Sequence, residues 1–230
     1  MYWILFIGIA LISYLVQANL KNKFEKYSKM PLMNGMTGRD VAIKMLHDNG
    51  IYDVKVISTP GMLTDHYNPV NKTVNLSEGV YGSNSVAAAA VAAHECGHAV
   101  QHAQAYPWLG LRSSLVPMVN IGSRLGQIVL FMGIMLLAAG SSTTVAWVGL
   151  ALYATTTLFA FVTLPVEFDA SRRALVWLEN SGYADRAMHG QAGTALRWAA
   201  MTYVAAALSS LAMLLYYALI ILSRVNSNRE

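Results

Sequence analysis

The sequence predicts a mainly α-helical membrane protein in which four transmembrane helices carry a small cytosolic α+β domain, inserted between the first and the second. Three observations lead there. Of 230 residues, 55% are hydrophobic and only 12% are charged, whereas a soluble domain carries about a quarter charged residues. Four apolar stretches are each long enough to cross about 30 Å of hydrocarbon, which takes roughly 20 helical residues. Between the first two stretches, residues 21–115 change character and alternate strand-like and helix-like patterns with turn residues.

The first span covers residues 1–20, "MYWILFIGIALISYLVQANL". No basic residue precedes it and no small-residue cleavage site follows, so it reads as an uncleaved anchor. Lys21, Lys23, Lys26 and Lys29 come directly after it. Basic residues in short flanking segments stay on the cytoplasmic side, which places the N-terminus outside and residues 21–115 inside. The remaining spans are expected at 116–139, 145–166 and 196–222. The hairpin between the second and third, "GSSTTV", is uncharged, as an outer turn should be. The next cytosolic stretch, 167–195 with its edge, holds Arg172, Arg173, Arg186 and Arg197. A short tail, 223–230, carries Arg224 and Arg229 and dissents from this orientation.

The basic excess, 16 Lys and Arg against 12 Asp and Glu, is therefore a membrane-topology signal. No nucleic-acid partner is expected, because the lysines are not interleaved with stacking aromatics. A single cysteine, Cys96, excludes an internal disulfide and agrees with a reducing compartment.

Within 21–115, "TGRDVAIKMLH" (37–47) has Thr37 as an N-cap, an apolar face and a "DNG" stop, so it predicts a helix. "YDVKVIS" (52–58) alternates as a strand, "TPGMLTDHYNPVNK" is turn-rich, and "TVNLS" (73–77) predicts a second strand. A long helix over 83–105 follows, closed by Pro107.

That last helix contains "AAAAVAAHECGHAVQH", which sets His94, Glu95 and His98 in an alanine run. Groups that ionise are costly to bury unless something pairs with them. Histidines four residues apart share a helix face and can ligate one tetrahedral Zn2+. Glu95 points to a neighbouring face, where it can take a proton from water and deliver it to a leaving amine. This is the HExxH arrangement of zinc-dependent peptidases. Gly97 would let the helix pack closely against a neighbour or a substrate backbone, and Cys96 reads as a small buried filler.

A catalytic zinc, one per chain, needs a third protein ligand and an open position. His102 is turned about 80° from His94 on a continuous helix, and His47, His66 and His189 lie in other segments. The candidate lies in "TLPVEFDASRRALVWLEN", where Pro165 suits a helix start or a kink. Glu167, Ser171, Ala174 and Leu178 share one face that is apolar or small apart from the glutamate. Asp169 falls with Arg172 and Arg173 and reads as a solvated ion pair. An isolated carboxylate on an apolar face points to Glu167 as the third ligand ahead of Asp169, the alternative in the same stretch.

These stretches, with "LTDHYNP", "VNLSEGVY", "LPVEFDASRRA" and "AAMTYVAAAL", resemble the neutral zinc metallopeptidases of the YugP type over nearly the whole chain. The resemblance implies a bacterial plasma-membrane, multi-pass zinc peptidase with its site facing the cytoplasm. More distantly the chain is similar to HtpX-type membrane metallopeptidases, which place an aspartate four residues after the ligating glutamate to orient a histidine. Here that position is Ser171, whose hydroxyl could accept a hydrogen bond from a zinc-bound imidazole.

The expected activity is endopeptidase hydrolysis by a zincin of the gluzincin kind, with Glu95 as general base and acid. His189, Tyr203 and Arg173 are the candidates for stabilising the oxyanion. Expected substrates are cytoplasmic or juxtamembrane segments of membrane proteins, an extended chain pairing with a sheet edge at 73–77. The alternatives are an intramembrane HExxH protease and a non-catalytic zinc-binding scaffold or sensor.

Overall fold

The computed structural model describes residues 2–32, 35–141, 143–182 and 186–227; Arg229 of the tail lies outside them. Helix α1 (Tyr2–Tyr27) is followed by α2 (Gly38–Asp48), strands β1 (Lys55–Thr59), β2 (His66–Asn68) and β3 (Thr73–Ser77), and a single turn α3 (Glu78–Tyr81). Helices α4 (Val86–Ala103), α5 (Pro107–Ala138), α6 (Thr144–Asn180) and α7 (Arg186–Ser227) complete the chain. Four of these, α1, α5, α6 and α7, are long and apolar enough to cross a membrane. Along α1, the large side chains of Trp3, Ile4 and Ile7 are exposed, which an apolar solvent satisfies and water does not.

Two compact units are distinguished. Met1–Leu109 and Pro165–Thr202 form the first, Gly110–Leu164 and Tyr203–Glu230 the second. In the first, α2 starts on a reciprocal capping box: Thr37 accepts from the Asp40 backbone while the Asp40 carboxylate accepts from Thr37. Its buried face, Val41, Ala42, Met45 and Leu46, packs with Val74, Leu76 and Val80 against the alanines of α4. Ser85 caps α4 by accepting from the Ala88 N–H. Of the 18 residues of α4, 13 are buried, so the helix is enclosed on nearly every side, and small side chains let its neighbours approach that closely.

The sheet order is β1-β3-β2, with β1 parallel and β2 antiparallel to β3. This overturns the expectation that 73–77 offers a substrate an edge: β3 is paired on both sides, and β2, formed by three residues of the stretch read as turn-rich, holds an outer position. Tyr67 lies opposite Val74 in the register, and its N–H leaves the sheet for a side chain of α4.

Two helices run on beyond the expected spans. The third expected span and the first part of the stretch expected after it lie in one helix of 37 residues, α6, with Pro165 in its interior. Proline forfeits one backbone bond, and the apolar face that continues through Ala174 and Leu178 keeps the helix packed beyond it. Likewise α5 begins at Pro107, well before the expected span. In the second unit a Cβ on Gly149 would collide with Leu130 Cα, and one on Gly133 with Ala146 N. Small residues at such crossings are how helices pack where lipid removes the hydrophobic drive between them.

Candidate metal centre

The register of α4 sets the His94 and His98 rings side by side, with centroids 4.8 Å apart. Helix α6 reaches them because Gly97, between the two, has no side chain: a Cβ there would lie 2.6 Å from the Ala170 carbonyl oxygen. That contact carries Glu167, three residues earlier on α6, to the histidines. Its Oε2 lies 3.3 Å from His94 Nε2 and 3.7 Å from His98 Nε2.

The Glu167 side chain is 4% exposed, and Oε2 is buried without a hydrogen-bond partner. A charge-assisted bond between these groups would be about 2.7–2.9 Å long, so the carboxylate is not consumed by the imidazoles. Ligands about 2.0–2.2 Å from a tetrahedral Zn2+ sit roughly 3.3–3.6 Å from one another, close to the spacing seen. All three ligand atoms lie within 4.8 Å of each other. Donor types, spacing and the orphaned buried oxygen fit a zinc ion.

Both imidazoles are held at their far nitrogens. His94 Nδ1 is 3.1 Å from Ser171 Oγ, the contact expected of that hydroxyl. His98 Nδ1 is 3.0 Å from Gln101 Oε1. Burial works against a charge on His98, but the facing Glu167 carboxylate and the nearby Glu95 carboxylate outweigh that and raise its pKa. Glu95, on the adjoining face of α4, is itself 8% exposed; its Oε2 accepts the Tyr67 N–H at 3.0 Å. The general-base candidate is thus tied to strand β2.

Asp169 corrects the sequence reading. It does pair with Arg173 and Arg172, each at 2.5 Å, but the side chain is only 9% exposed and also accepts from Gln101 Nε2 at 2.9 Å. It is a buried junction between α6 and α4, where the reading put a solvated pair.

The other candidates separate. Arg173 is occupied by Asp169 and by Gln104 Oε1, with Tyr106 under its guanidinium. His189 shares a cavity of about 490 Å³ with Ser171, Leu175 and Leu196; its Nε2 makes no hydrogen bond and lies 3.9 Å from Glu179. Tyr203 belongs to the second unit. His102 bonds the Tyr67 hydroxyl at 2.9 Å through Nδ1, His47 stacks near Tyr52, and His66 bonds the Thr64 carbonyl. Cys96 is fully buried against the Ala42 carbonyl, and burial pushes its thiol well above the ordinary cysteine range.

Two participants escaped the sequence reading. Gln101 had a signal, since it follows His98 by three residues and so shares its helix face. Tyr67 had none, because only the pairing of β2 brings its N–H to Glu95.

Compared with known proteins, residues 2–222 match a family described as "Putative neutral zinc metallopeptidase". The chain is 42% identical over 217 residues to "Putative membrane protease YugP" of Bacillus subtilis (strain 168), covering 94% of this chain and 95% of that protein. No solved structure matches it.

Proposed function

The chain belongs to the neutral zinc metallopeptidase family, and from that premise we propose that it is a membrane-embedded, zinc-dependent endopeptidase of the gluzincin type acting at the cytoplasmic membrane surface. The observation that carries the reading is Glu167 Oε2, buried, unpartnered and facing two imidazole Nε2 atoms. His94, His98 and Glu167 would hold the ion, one per chain. When bound, zinc supplies Lewis acidity toward a carbonyl and a water.

The remaining work falls to the chain. Ser171 accepts from His94 Nδ1–H and leaves the opposite nitrogen free to ligate. Glu95 takes a proton from water and returns it to the leaving amine, and the Tyr67 N–H holds its carboxylate in place. His189, whose Nε2 has no other hydrogen bond and which lines the same cavity as Ser171, is the donor this reading favours for the oxyanion. An extended substrate would meet the outer edge of β2, beside Glu95. The lysines after α1 support a cytoplasmic site in a bacterial plasma membrane, with the N-terminus outside, and juxtamembrane segments of membrane proteins as substrates.

The test uses detergent-solubilised full-length protein, with zinc content measured beside hydrolysis of a quenched casein substrate and of a membrane-anchored one. Glu95→Gln should keep zinc and lose about 10²–10⁴-fold in rate, while Glu167→Ala should lose zinc and activity together. Full zinc in wild type with no hydrolysis that depends on Glu95 would replace the peptidase with a zinc-holding scaffold or sensor.

A further inference from the structure

Gln101 is wholly buried, and every polar atom of its side chain is spoken for. Nε2 donates to the Val166 carbonyl at 2.8 Å and to Asp169 Oδ2 at 2.9 Å. Oε1 faces His98 Nδ1 at 3.0 Å. The amide has only one tenable orientation. Turned over, its oxygen would meet a carbonyl and a carboxylate, two acceptors with no proton between them. Its NH2 must therefore face α6, and its oxygen must face the histidine.

An amide oxygen only accepts, so His98 must carry its proton on Nδ1, which commits Nε2 to the side where Glu167 waits. The orientation is imposed from further out. Arg173 and Arg172 bracket the Asp169 carboxylate, and that buried carboxylate holds the Gln101 NH2. The same NH2 grips the carbonyl of Val166, the residue directly before Glu167.

We propose, on the reading that His94, His98 and Glu167 hold zinc, that Gln101 is a positioning residue for the metal centre. It is an amide relay through which Asp169 fixes the tautomer and ring orientation of His98 and at the same time ties the Glu167 stretch of α6 to α4. The two histidines are thus oriented by different chemistry: a hydroxyl on His94 and a carboxylate acting through an amide on His98. The aspartate two residues after Glu167 orients the second histidine indirectly.

Two readouts on full-length, detergent-solubilised protein test this: zinc affinity by chelator competition, and the protonation site of the histidine nitrogens by long-range 1H–15N NMR with 15N-histidine, on metal-free protein at alkaline pH. Wild type should show His98 protonated at Nδ1 alone. Gln101→Met, similar in volume but unable to bond, should show both tautomers and bind zinc about 10–100-fold more weakly. Asp169→Asn retains an acceptor for the Gln101 NH2 and should lose only a few-fold in affinity. A merely structural glutamine would alter stability but leave the tautomer unchanged. A wild-type His98 protonated at Nε2, or Gln101→Met with wild-type zinc affinity, would overturn the relay. If Gln101→Met fails to fold, the wild-type tautomer and Asp169→Asn still decide. Absence of zinc binding in wild type with the Nδ1–H tautomer intact would instead remove the metal reading and leave the relay as a structural device.

Discussion

Two helix crossings use the same device for different ends. In the second unit, Gly133 and Gly149 let helix backbones meet, and the surroundings are apolar: Leu130, Leu137, Ala146, Leu150 and Ile221. In the first unit, Gly97 lets α4 meet α6 at Ala170, and around it are buried Glu95, Gln101, Glu167, Asp169 and Ser171. A missing side chain brings backbones together in both places. Only at Gly97 does the distance set the spacing between charged groups and the atoms that could hold a metal ion, so a glycine there governs the geometry of that cluster as well as packing.

The sharpest way to break this comparison is Gly97→Ala. The new Cβ would collide with the Ala170 backbone carbonyl, which cannot swing aside as a side chain could, so the helices must separate by a fraction of an ångström or more. Overpacking of this kind costs about 1–3 kcal/mol, and the shift also moves Glu167 from the histidines. Zinc affinity should fall at least as far as in Gln101→Met, about 10–100-fold, read by chelator competition. Zinc binding unchanged by this substitution would mean that α6 is not positioned by the glycine.

Gly149→Ala is the matched control. Its Cβ would collide with the Leu130 backbone, so thermal stability in detergent should drop by about 1–3 kcal/mol. Folded Gly149→Ala protein should bind zinc with wild-type affinity. Weakening of the metal site there would erase the distinction between the two crossings.

Cys96 sharpens the comparison from inside α4. Enclosed and held above the ordinary thiol range by burial, it should resist alkylation at mildly alkaline pH in folded protein and react once the protein is denatured. Mass spectrometry of both states reports whether the helix is as closed as the Gly97 contact requires; rapid labelling of folded protein would show that it is not.

The smallest expected effect lies at the capping box of α2. Hydrogen bonds from Thr37, side chain first and then backbone, hold the Asp40 carboxyl below its ordinary pKa. A lowered folded-state pKa contributes stability above the unfolded value, about 3.9, and loses it as pH falls through the folded value. Asp40→Asn should therefore cost stability at neutral pH, about 1 kcal/mol or less, and the gap to wild type should close in acid. Denaturant titration at both pH values measures it.

Much of this protein is legible in its sequence because the governing physics is local. The length and polarity of a span are dictated by the thickness of hydrocarbon, so four apolar helices follow from composition alone. The 3.6-residue repeat places His94 and His98 on one face and singles out Glu167 as the carboxylate on an apolar one. Thr37 and Ser85 announce their helices through the N–H groups that they cap. What only the tertiary structure decided are the partners across the chain. That β3 is central and β2 pairs beside it depends on strand registry between segments, and burial of Asp169 depends on α4 lying against α6. The Gln101 bonds to Val166 and Asp169 span 65 and 68 residues. No periodicity encodes such pairs, because a side chain's polarity shows that it needs a partner, and only packing determines which partner comes within 3 Å.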